Sequence, residues 1–113
     1  AYLDSLVEPR VIADILEIGA LAQVPLEMLD ELALTPMRLA TGGTIQAVRA
    51  AFDAGVAVNL SGGYHHAKRA KGEGFCVYSD IAVAIEIARK ERSLERVMVV
   101  DLDVHQGNGV ESI

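Results

Sequence analysis

Residues 97–105 read VMVVDLDVH, a run of four apolar residues that leads directly into alternating aspartate and histidine side chains. An apolar run this short, rich in β-branched valine, predicts a strand that is buried on both faces, as in a parallel sheet. Because alternate residues of an extended chain share a face, Asp101, Asp103 and His105 are expected to point to the same side. The stretch therefore predicts an α/β fold with polar groups at the carboxyl end of a strand.

A second apolar run, VAVNL at residues 56–60, lies between glycines and predicts another buried strand. Between the two runs, residues 81–92 predict a helix, capped by Ser79 or Asp80 and mostly buried against the sheet. Strand, loop, helix and strand in this order form a right-handed parallel unit. Its two polar loops, residues 64–78 and 101–109, leave the same sheet edge and are expected to meet over one pocket.

Three amphipathic helices are predicted before Gly55 from apolar residues at three- and four-residue steps. The first covers residues 8–23, and the second follows Pro25 and ends near Thr35, because a residue before proline avoids helical geometry. The third begins after Gly42-Gly43, with Thr41 or Thr44 as its N-cap. We therefore predict one domain, with a helical part at residues 1–54 and the strand-loop-helix-strand unit at residues 55–113.

The composition of the chain limits the kinds of partner that we expect it to bind. The chain has 113 residues, a net charge of −6 and one cysteine, so we expect no direct nucleic-acid binding and no internal disulfide. No run reaches the roughly 18 to 20 apolar residues that a spanning helix needs, so we expect no membrane partner, and we assign the chain to the cytoplasm. It opens without methionine and stops soon after a predicted site loop, so we expect an internal piece of a longer protein.

Asp103 and His105 are suitable zinc ligands, and a catalytic zinc usually takes three protein ligands and a water. The alternative is that both side chains cap the next helix or bind nearby backbone. Burial favours the metal, because polar groups that directly follow an apolar strand demand a cation or several donors. Two ligands of a zinc site are therefore predicted here.

His65 and His66 follow a buried strand and the Gly62-Gly63 turn. A neutral imidazole is the usual general base near pH 7 and needs an acceptor that fixes its tautomer, for which Asp101 and Asn108 are the candidates. The alternative is a surface histidine pair without a role, which we disfavour because the predicted sheet edge also carries Asp103.

Gly74 and Phe75 suit the wall of a narrow channel, since glycine lets backbone approach a ligand and an aromatic ring lines the space. The alternative is core packing, which we favour for Cys76, because nothing near it would activate the thiol. The Gly42-Gly43 pair lacks the lysine and the spacing of a phosphate loop, so we interpret it as a helix entry.

Four motifs, in this order, resemble the histone deacetylase family, including its bacterial acetoin-utilisation and acetylpolyamine members. They are ATGGT at 40–44, GGYHHA at 62–67, GFC at 74–76 and DLDVHQGNG at 101–109. The resemblance implies an arginase/deacetylase-type three-layer sandwich with a central parallel sheet, of which this chain would be a truncated, central part. The Gln-Gly-Asn pattern is similar to the class IV branch.

The resemblance also implies residue roles. Asp103 and His105 would bind Zn²⁺, and His65 and His66 would handle protons during attack on an acyl-lysine amide. Asp101 would hold His65 and, with Asp103 and the main chain of His105, would bind K⁺. The remaining implied roles belong to Asn108 as the partner of His66 and to Tyr64, Gly74 and Phe75 as walls of the acyl-lysine channel.

The expected function is zinc-dependent hydrolysis of N-acyl-lysine or a related acylated amine such as a polyamine. Two alternatives stay open: an arginase-type ureohydrolase, which needs a second metal that Gln106 and Gly107 do not support, and a non-catalytic binder of acylated amines. The family's third zinc ligand and its transition-state tyrosine or histidine would lie beyond Ile113. We therefore expect the chain alone to be inactive and to self-associate through uncovered apolar faces.

Overall fold

The computed structural model describes all residues from 1 to 113 and contains helices, turns and extended segments. Six stretches are α-helical, and a 3₁₀-helix and a π-helix lie between them. The elements are α1 (Tyr2–Ser5), α2 (Pro9–Ile15), the 3₁₀-helix Gly19–Gln23, α3 (Leu26–Leu29), the π-helix Asp30–Leu34, α4 (Thr35–Ala54), α5 (Asp80–Arg92) and α6 (Asn108–Glu111).

The first predicted helix is shorter than expected. Helix α2 begins at Pro9, as predicted, but ends at Ile15 instead of continuing to Gln23. Glu17 adopts a left-handed φ of 55°, and the Ile18 N–H donates to the Ala13 carbonyl oxygen over 3.0 Å. These are the features of a Schellman C-cap, which ends a helix by satisfying its last carbonyls. The apolar periodicity continues past this cap, which is why it overstated the helix.

The second and third predicted helices are one continuous helical stretch, so the predicted break near Thr35 and Pro36 is wrong. The π-helix ends at Leu34 and leads directly into α4, whose second residue is Pro36, in the first turn, where a missing N–H costs little. Gly42-Gly43 lies inside α4 and does not start it. Thr41 donates to the Met37 carbonyl oxygen four residues back, Thr44 donates to the Asp80 carboxylate, and neither caps α4.

Gly43 has a packing reason to be inside a helix. A Cβ at this position would lie 2.9 Å from the side-chain oxygen of Asn59. Asn59 in turn donates to the Ala40 carbonyl oxygen and to the Thr44 hydroxyl of the same helix. Glycine therefore lets the segment at 56–60 dock on α4, which offsets the roughly 1 kcal/mol that glycine costs in a helix.

The apolar core lies in the N-terminal half and reaches one residue of the long loop. Tyr2 donates its hydroxyl to the Val77 carbonyl oxygen over 2.8 Å, which ties the loop to α1. Burial raises the pKa of Tyr2 to about 12. The core residues are Leu6, Ile12, Ile15, Leu16, Leu29, Leu34 and Val77.

Helix α5 confirms the prediction for residues 81–92, with Ser79 at the N-cap position. It packs against α4 and not against a sheet, through Ala84 and Ala88 on its buried side. An ion pair between Arg49 and Glu91 joins the exposed sides of the two helices. The expectation that α5 is mostly buried is wrong, since Val83 is 40% exposed.

The two segments predicted as strands, residues 56–60 and 97–100, pair with nothing, so the structure forms no sheet. A parallel strand needs hydrogen-bonding neighbours and covered faces, whereas Val58 is 77% and Met98 is 84% exposed. Only two isolated bridges occur, Lys68 with Lys71 and Glu73 with Cys76. The central parallel sheet thus remains a prediction. No helix of the structure combines the length and the apolar character needed to cross a membrane.

Candidate active site

Asp80, at the first position of α5, holds the loop that carries the two histidines. Its carboxylate accepts hydrogen bonds from the main-chain N–H groups of Gly63 (2.9 Å) and Tyr64 (2.8 Å) and from the Thr44 hydroxyl (2.6 Å). The side chain has no exposed surface. Gly62 lies so close to Asp80 that a Cβ there would clash with the carboxylate, and its φ of 94° favours glycine. The turn before His65 is therefore held in place by the Asp80 carboxylate.

The second loop docks on the first through main-chain atoms. The N–H groups of Gly109 and Val110 both donate to the His65 carbonyl oxygen, over 2.9 and 3.1 Å. A Cβ on Gly109 would overlap the main chain of residues 65–67, so only glycine fits at this contact. The two loops, about forty residues apart in sequence, therefore meet as predicted from their place at the ends of the two apolar runs.

His65 contacts Asp101. Its Nδ1 lies 2.6 Å from Oδ2 of Asp101, and the imidazole is largely buried. The hydrogen bond with His65 is the main reason that the pKa of Asp101 lies below its ordinary value, and the Asp103 N–H adds to the effect. A side chain on Gly107 would collide with the Asp101 carboxylate, so this glycine also permits the contact. An ionised Asp101 accepts a hydrogen bond from Nδ1–H of His65. Nε2 of His65 is then the nitrogen with the free lone pair.

His66 contacts Asn108. Its Nδ1 lies 2.7 Å from Oδ1 of the amide, whose Nδ2 donates to Oε1 of Glu73 over 2.6 Å. The imidazole rings of His65 and His66 are 4.2 Å apart between centroids, and that of His105 is 6.1 Å from His66. Three histidines with their oxygen partners thus lie in one small region.

Asp103 and His105 form a pair at the rim of this region, and the expectation that they are buried is wrong, because the side chains are 50% and 71% exposed. Oδ1 of Asp103 accepts the His105 N–H over 2.7 Å and lies 2.9 Å from Nδ1 of its imidazole. These contacts hold the pKa of Asp103 below its ordinary value. An oxygen and a nitrogen that converge in this way are a fitting donor pair for zinc. The chain contains no group of three or more His, Cys, Asp or Glu side chains that would complete a metal site.

The residues predicted to line a channel lie beside the histidines. A Cβ on Gly74 would come within 2.5 Å of Cδ2 of His66, so the glycine backbone and the imidazole are in close contact. Phe75 adopts a left-handed φ of 63° and is 57% exposed. Burial raises the pKa of Tyr64. A shallow depression of about 390 Å³ lies at His66 and Gly74 and has no hydrophobic residue in its lining, which consists of Glu17, His66, Glu73, Gly74 and Asn108.

Cys76 is buried, and this burial raises the pKa of its thiol, which disfavours the thiolate that a nucleophile needs. The interpretation of Cys76 as a packing residue agrees with this environment.

Four residues of the site escaped the sequence analysis in the roles that the structure gives them. Asp80 was interpreted only as a helix cap, and Glu73 received no role. Gly107 and Gly109 were part of a motif, but glycine is needed at 107 because of the Asp101 carboxylate in the same loop and at 109 because of the main chain of the other loop. An acidic residue between two glycines, Gly72 and Gly74, was the available signal for Glu73.

Comparison with known proteins gives a consistent answer. The family model described as histone deacetylase domain matches residues 9–113. Histone deacetylase 2 of Arabidopsis thaliana is 40% identical over 111 residues, which cover 98% of this chain and 29% of that protein. The acetoin utilization protein AcuC of Bacillus subtilis is 49% identical over 55 residues, or 49% of this chain and 14% of that protein. Probable histone deacetylase 19 of Zea mays is 50% identical over 56 residues, covering 50% of this chain and 10% of that protein.

The chain therefore spans less than a third of the length of these curated relatives. No solved structure gives a significant match to it.

Proposed function

Since this chain belongs to the histone deacetylase family, we propose that its protein hydrolyses the amide bond of N-acylated amines, with acyl-lysine or an acylated polyamine as substrate. One observation carries the proposal: two adjacent histidines each have an oxygen partner at Nδ1, directly beside an Asp-His pair suited to zinc. This combination supplies the proton-handling groups and part of the metal site that amide hydrolysis requires.

Asp103 and His105 would hold the zinc ion, with a further donor from outside residues 1–113. When bound, zinc polarises a carbonyl group and makes water more acidic. His65 and His66 then take up the proton of the attacking water and deliver a proton to the leaving amine. Asp101 and Asn108 keep the Nδ1 side of each imidazole occupied, so that Nε2 remains the nitrogen that exchanges the proton.

Substrate contacts come from the loop at 62–76. Tyr64, Gly74 and Phe75 would border the acyl chain, and the bare backbone of Gly74 beside His66 supports this assignment. A potassium ion bound by Asp101, Asp103 and the main chain of His105 would belong to the same region. The carboxylates of Asp101 and Asp103 order the loop at 101–109, because each accepts the N–H of the residue two positions later.

The 113-residue chain alone is expected to bind zinc weakly and to turn over no substrate, because it offers two zinc donors instead of three. The proposal concerns the full-length protein, in which these residues form one part of a single catalytic domain.

The test uses the full-length protein with acetyl-lysine peptide and acetylpolyamine substrates, and it measures bound metal beside turnover. His66→Ala should lower kcat at least about a hundredfold while zinc content is unchanged, whereas His105→Ala should lower zinc content itself. Leu32→Ala, at an exposed helix position far from the site in sequence, is the control and should change neither value. Two tightly bound manganese ions with ureohydrolase activity would instead support the arginase-type alternative and overturn this proposal.

A further inference from the structure

Glu73 makes no hydrogen bond to His65 or His66. Its carboxylate is instead contacted by three donor groups. Oε1 accepts from Asn108 Nδ2 over 2.6 Å and lies 2.8 Å from Nζ of Lys68, while Oε2 lies 2.7 Å from Nζ of Lys71. The side chain is only 25% exposed. Asn108 is thus the only neutral donor of the three, and the carbonyl oxygen of its amide contacts His66.

The orientation of an asparagine amide decides which of its ends donates. A carboxylate only accepts, so Asn108 must turn its NH₂ group to Glu73 and its carbonyl oxygen to His66. A carbonyl oxygen also only accepts, so Nδ1 of His66 must carry the hydrogen of that bond and Nε2 must carry the lone pair. Without Glu73 the amide has no such constraint, because an amide reversed by 180° donates to a bare Nδ1 equally well.

We propose that Glu73 is a positioning residue that fixes the Asn108 amide and, through it, the Nδ1–H tautomer of His66. This inference rests on the proposed function only for its catalytic meaning, since a basic Nε2 matters when His66 handles protons. The hydrogen-bond chain itself, from Glu73 through Asn108 to His66, stands on the geometry alone.

Two further features keep Glu73 an obligate acceptor in a fixed place. The contacts with Lys68, Lys71 and Asn108 lower its pKa to about 2, so near neutral pH it has no proton to donate. Its main chain is also held, because Glu73 and Cys76 exchange hydrogen bonds (3.2 and 3.0 Å) across a tight turn. Gly74 and Phe75, the central residues of that turn, both have positive φ, as in a type I′ turn.

The test is the tautomer itself, measured by ¹⁵N NMR of labelled histidine, in which a protonated and an unprotonated ring nitrogen differ widely in chemical shift. In the unaltered full-length protein His66 should be almost wholly the Nδ1–H form. In Glu73→Gln the side chain at 73 both donates and accepts, so the amide loses its preferred direction and about half of the His66 rings or more should move to the Nε2–H form. The tautomer of His65, which is held by Asp101, should not change.

The exchange variant E73Q/N108D separates this role from a general effect on folding. It restores a carboxylate next to His66 and an amide behind it at unchanged total charge, so the Nδ1–H form should return. Glu91→Gln removes the carboxylate of another exposed ion pair, with Arg49, and should leave the His66 tautomer unaltered. A His66 that keeps its Nδ1–H form in E73Q, or fails to regain it in E73Q/N108D, would overturn the proposal.

The same variants in the full-length protein keep the two proposals apart. A tautomer shift without any acyl-amine hydrolysis in the unaltered protein would leave the positioning role standing and remove the deacetylase assignment. Normal hydrolysis together with a His66 tautomer that does not change in E73Q would support the deacetylase assignment and remove the positioning role of Glu73.

Discussion

At the scale of single residues, Asp80 shows how much of the site depends on a group that would touch no substrate. A carboxyl group without exposed surface is costly to bury unless donors surround it, and here two N–H groups and a hydroxyl do so. These donors come from α4 and from the turn before His65. Asp80 therefore joins a helix, a turn and its own helix α5 at one point.

Replacing Asp80 should destabilise the chain and loosen the histidine loop. Asp80→Ala leaves the Gly63 and Tyr64 N–H groups without acceptors, and we expect the free energy of unfolding to fall by roughly 2 to 3 kcal/mol. Urea unfolding followed by circular dichroism measures this. The neighbouring Ser79→Ala is the matched control, because the buried Ser79 hydroxyl has no partner and its loss should change stability by less than about 0.5 kcal/mol. Equal losses in both variants would contradict the assignment.

Glu73 gives a pH prediction whose sign follows from its lowered pKa. The folded value of about 2 lies below the ordinary 4.5, so the unfolded chain takes up this proton first. The stabilising contribution is complete above about pH 5 and is lost as pH falls from about 4.5 towards 2. The stability difference between the unaltered chain and Glu73→Gln, from urea unfolding at several pH values, should therefore shrink over that range. A difference that stays constant down to pH 2 would contradict it.

Which site contacts could be predicted depended on residue type. Asp101 and Asn108 were predictable partners of the histidines because they end or follow an apolar run and are acceptors. Gly107 and Gly109 could not be assigned, since their role is the absence of a Cβ against a particular carboxylate or carbonyl. Such a requirement appears only when the path of the folded loop is known, and for Gly109 also the position of the other loop.

At the scale of elements, periodicity located the helices and local caps set their ends. Helix α5 was predicted closely because a capping residue precedes it and its apolar residues stop at Ala88, shortly before the helix ends at Arg92. Helix α2 was overstated, because nothing in its apolar spacing reveals that Glu17 adopts a left-handed conformation. Pro36 and Gly42-Gly43 misled in the opposite direction, since proline is accepted in a first turn and glycine wherever close packing requires it.

The cap of α2 is suboptimal in a way that can be tested. Glycine adopts the left-handed region without the steric cost that Glu17 bears, so Glu17→Gly should raise the free energy of unfolding by about 1 kcal/mol. Glu27→Gly, at an exposed position inside α3, should instead lower it by about 1 kcal/mol. Thermal or urea unfolding of both variants checks the pair. A loss of stability in Glu17→Gly would show that its side chain contributes more than its backbone costs.

At the scale of the whole molecule, the predicted sheet and the structure differ for one physical reason. A strand buried on both faces requires neighbours on its edges and helices above and below, and only 18 of 113 residues are buried here. The sequence carries the apolar signature of such strands, but in the structure nothing pairs with their edges and most of their apolar side chains are exposed. The apolar pattern therefore predicted two strand segments, but it could not predict whether other strands and helices would pack against them.

Uncovered apolar segments predict self-association of the isolated chain. Leu60 and Leu102 are 98% and 91% exposed, so these large apolar side chains remain in contact with water. Light scattering behind size exclusion should show a mass that rises with concentration, and Leu60→Lys with Leu102→Lys should reduce it. Lysine at Leu32, which is 71% exposed on a helix, is the control and should change the mass less. A monomer at all concentrations would contradict the prediction.

The two site loops are joined by main-chain groups, the N–H of Gly109 and Val110 and the carbonyl of His65. Only glycine fits at position 109, but the contact itself uses no polar side chain of the site. Substitutions at Gln106 or Asn108 can therefore change the chemistry of the site while these main-chain contacts remain available. In such an arrangement evolution can alter reactivity separately from assembly, and related branches can diverge in proton chemistry without redesigning how their loops find each other.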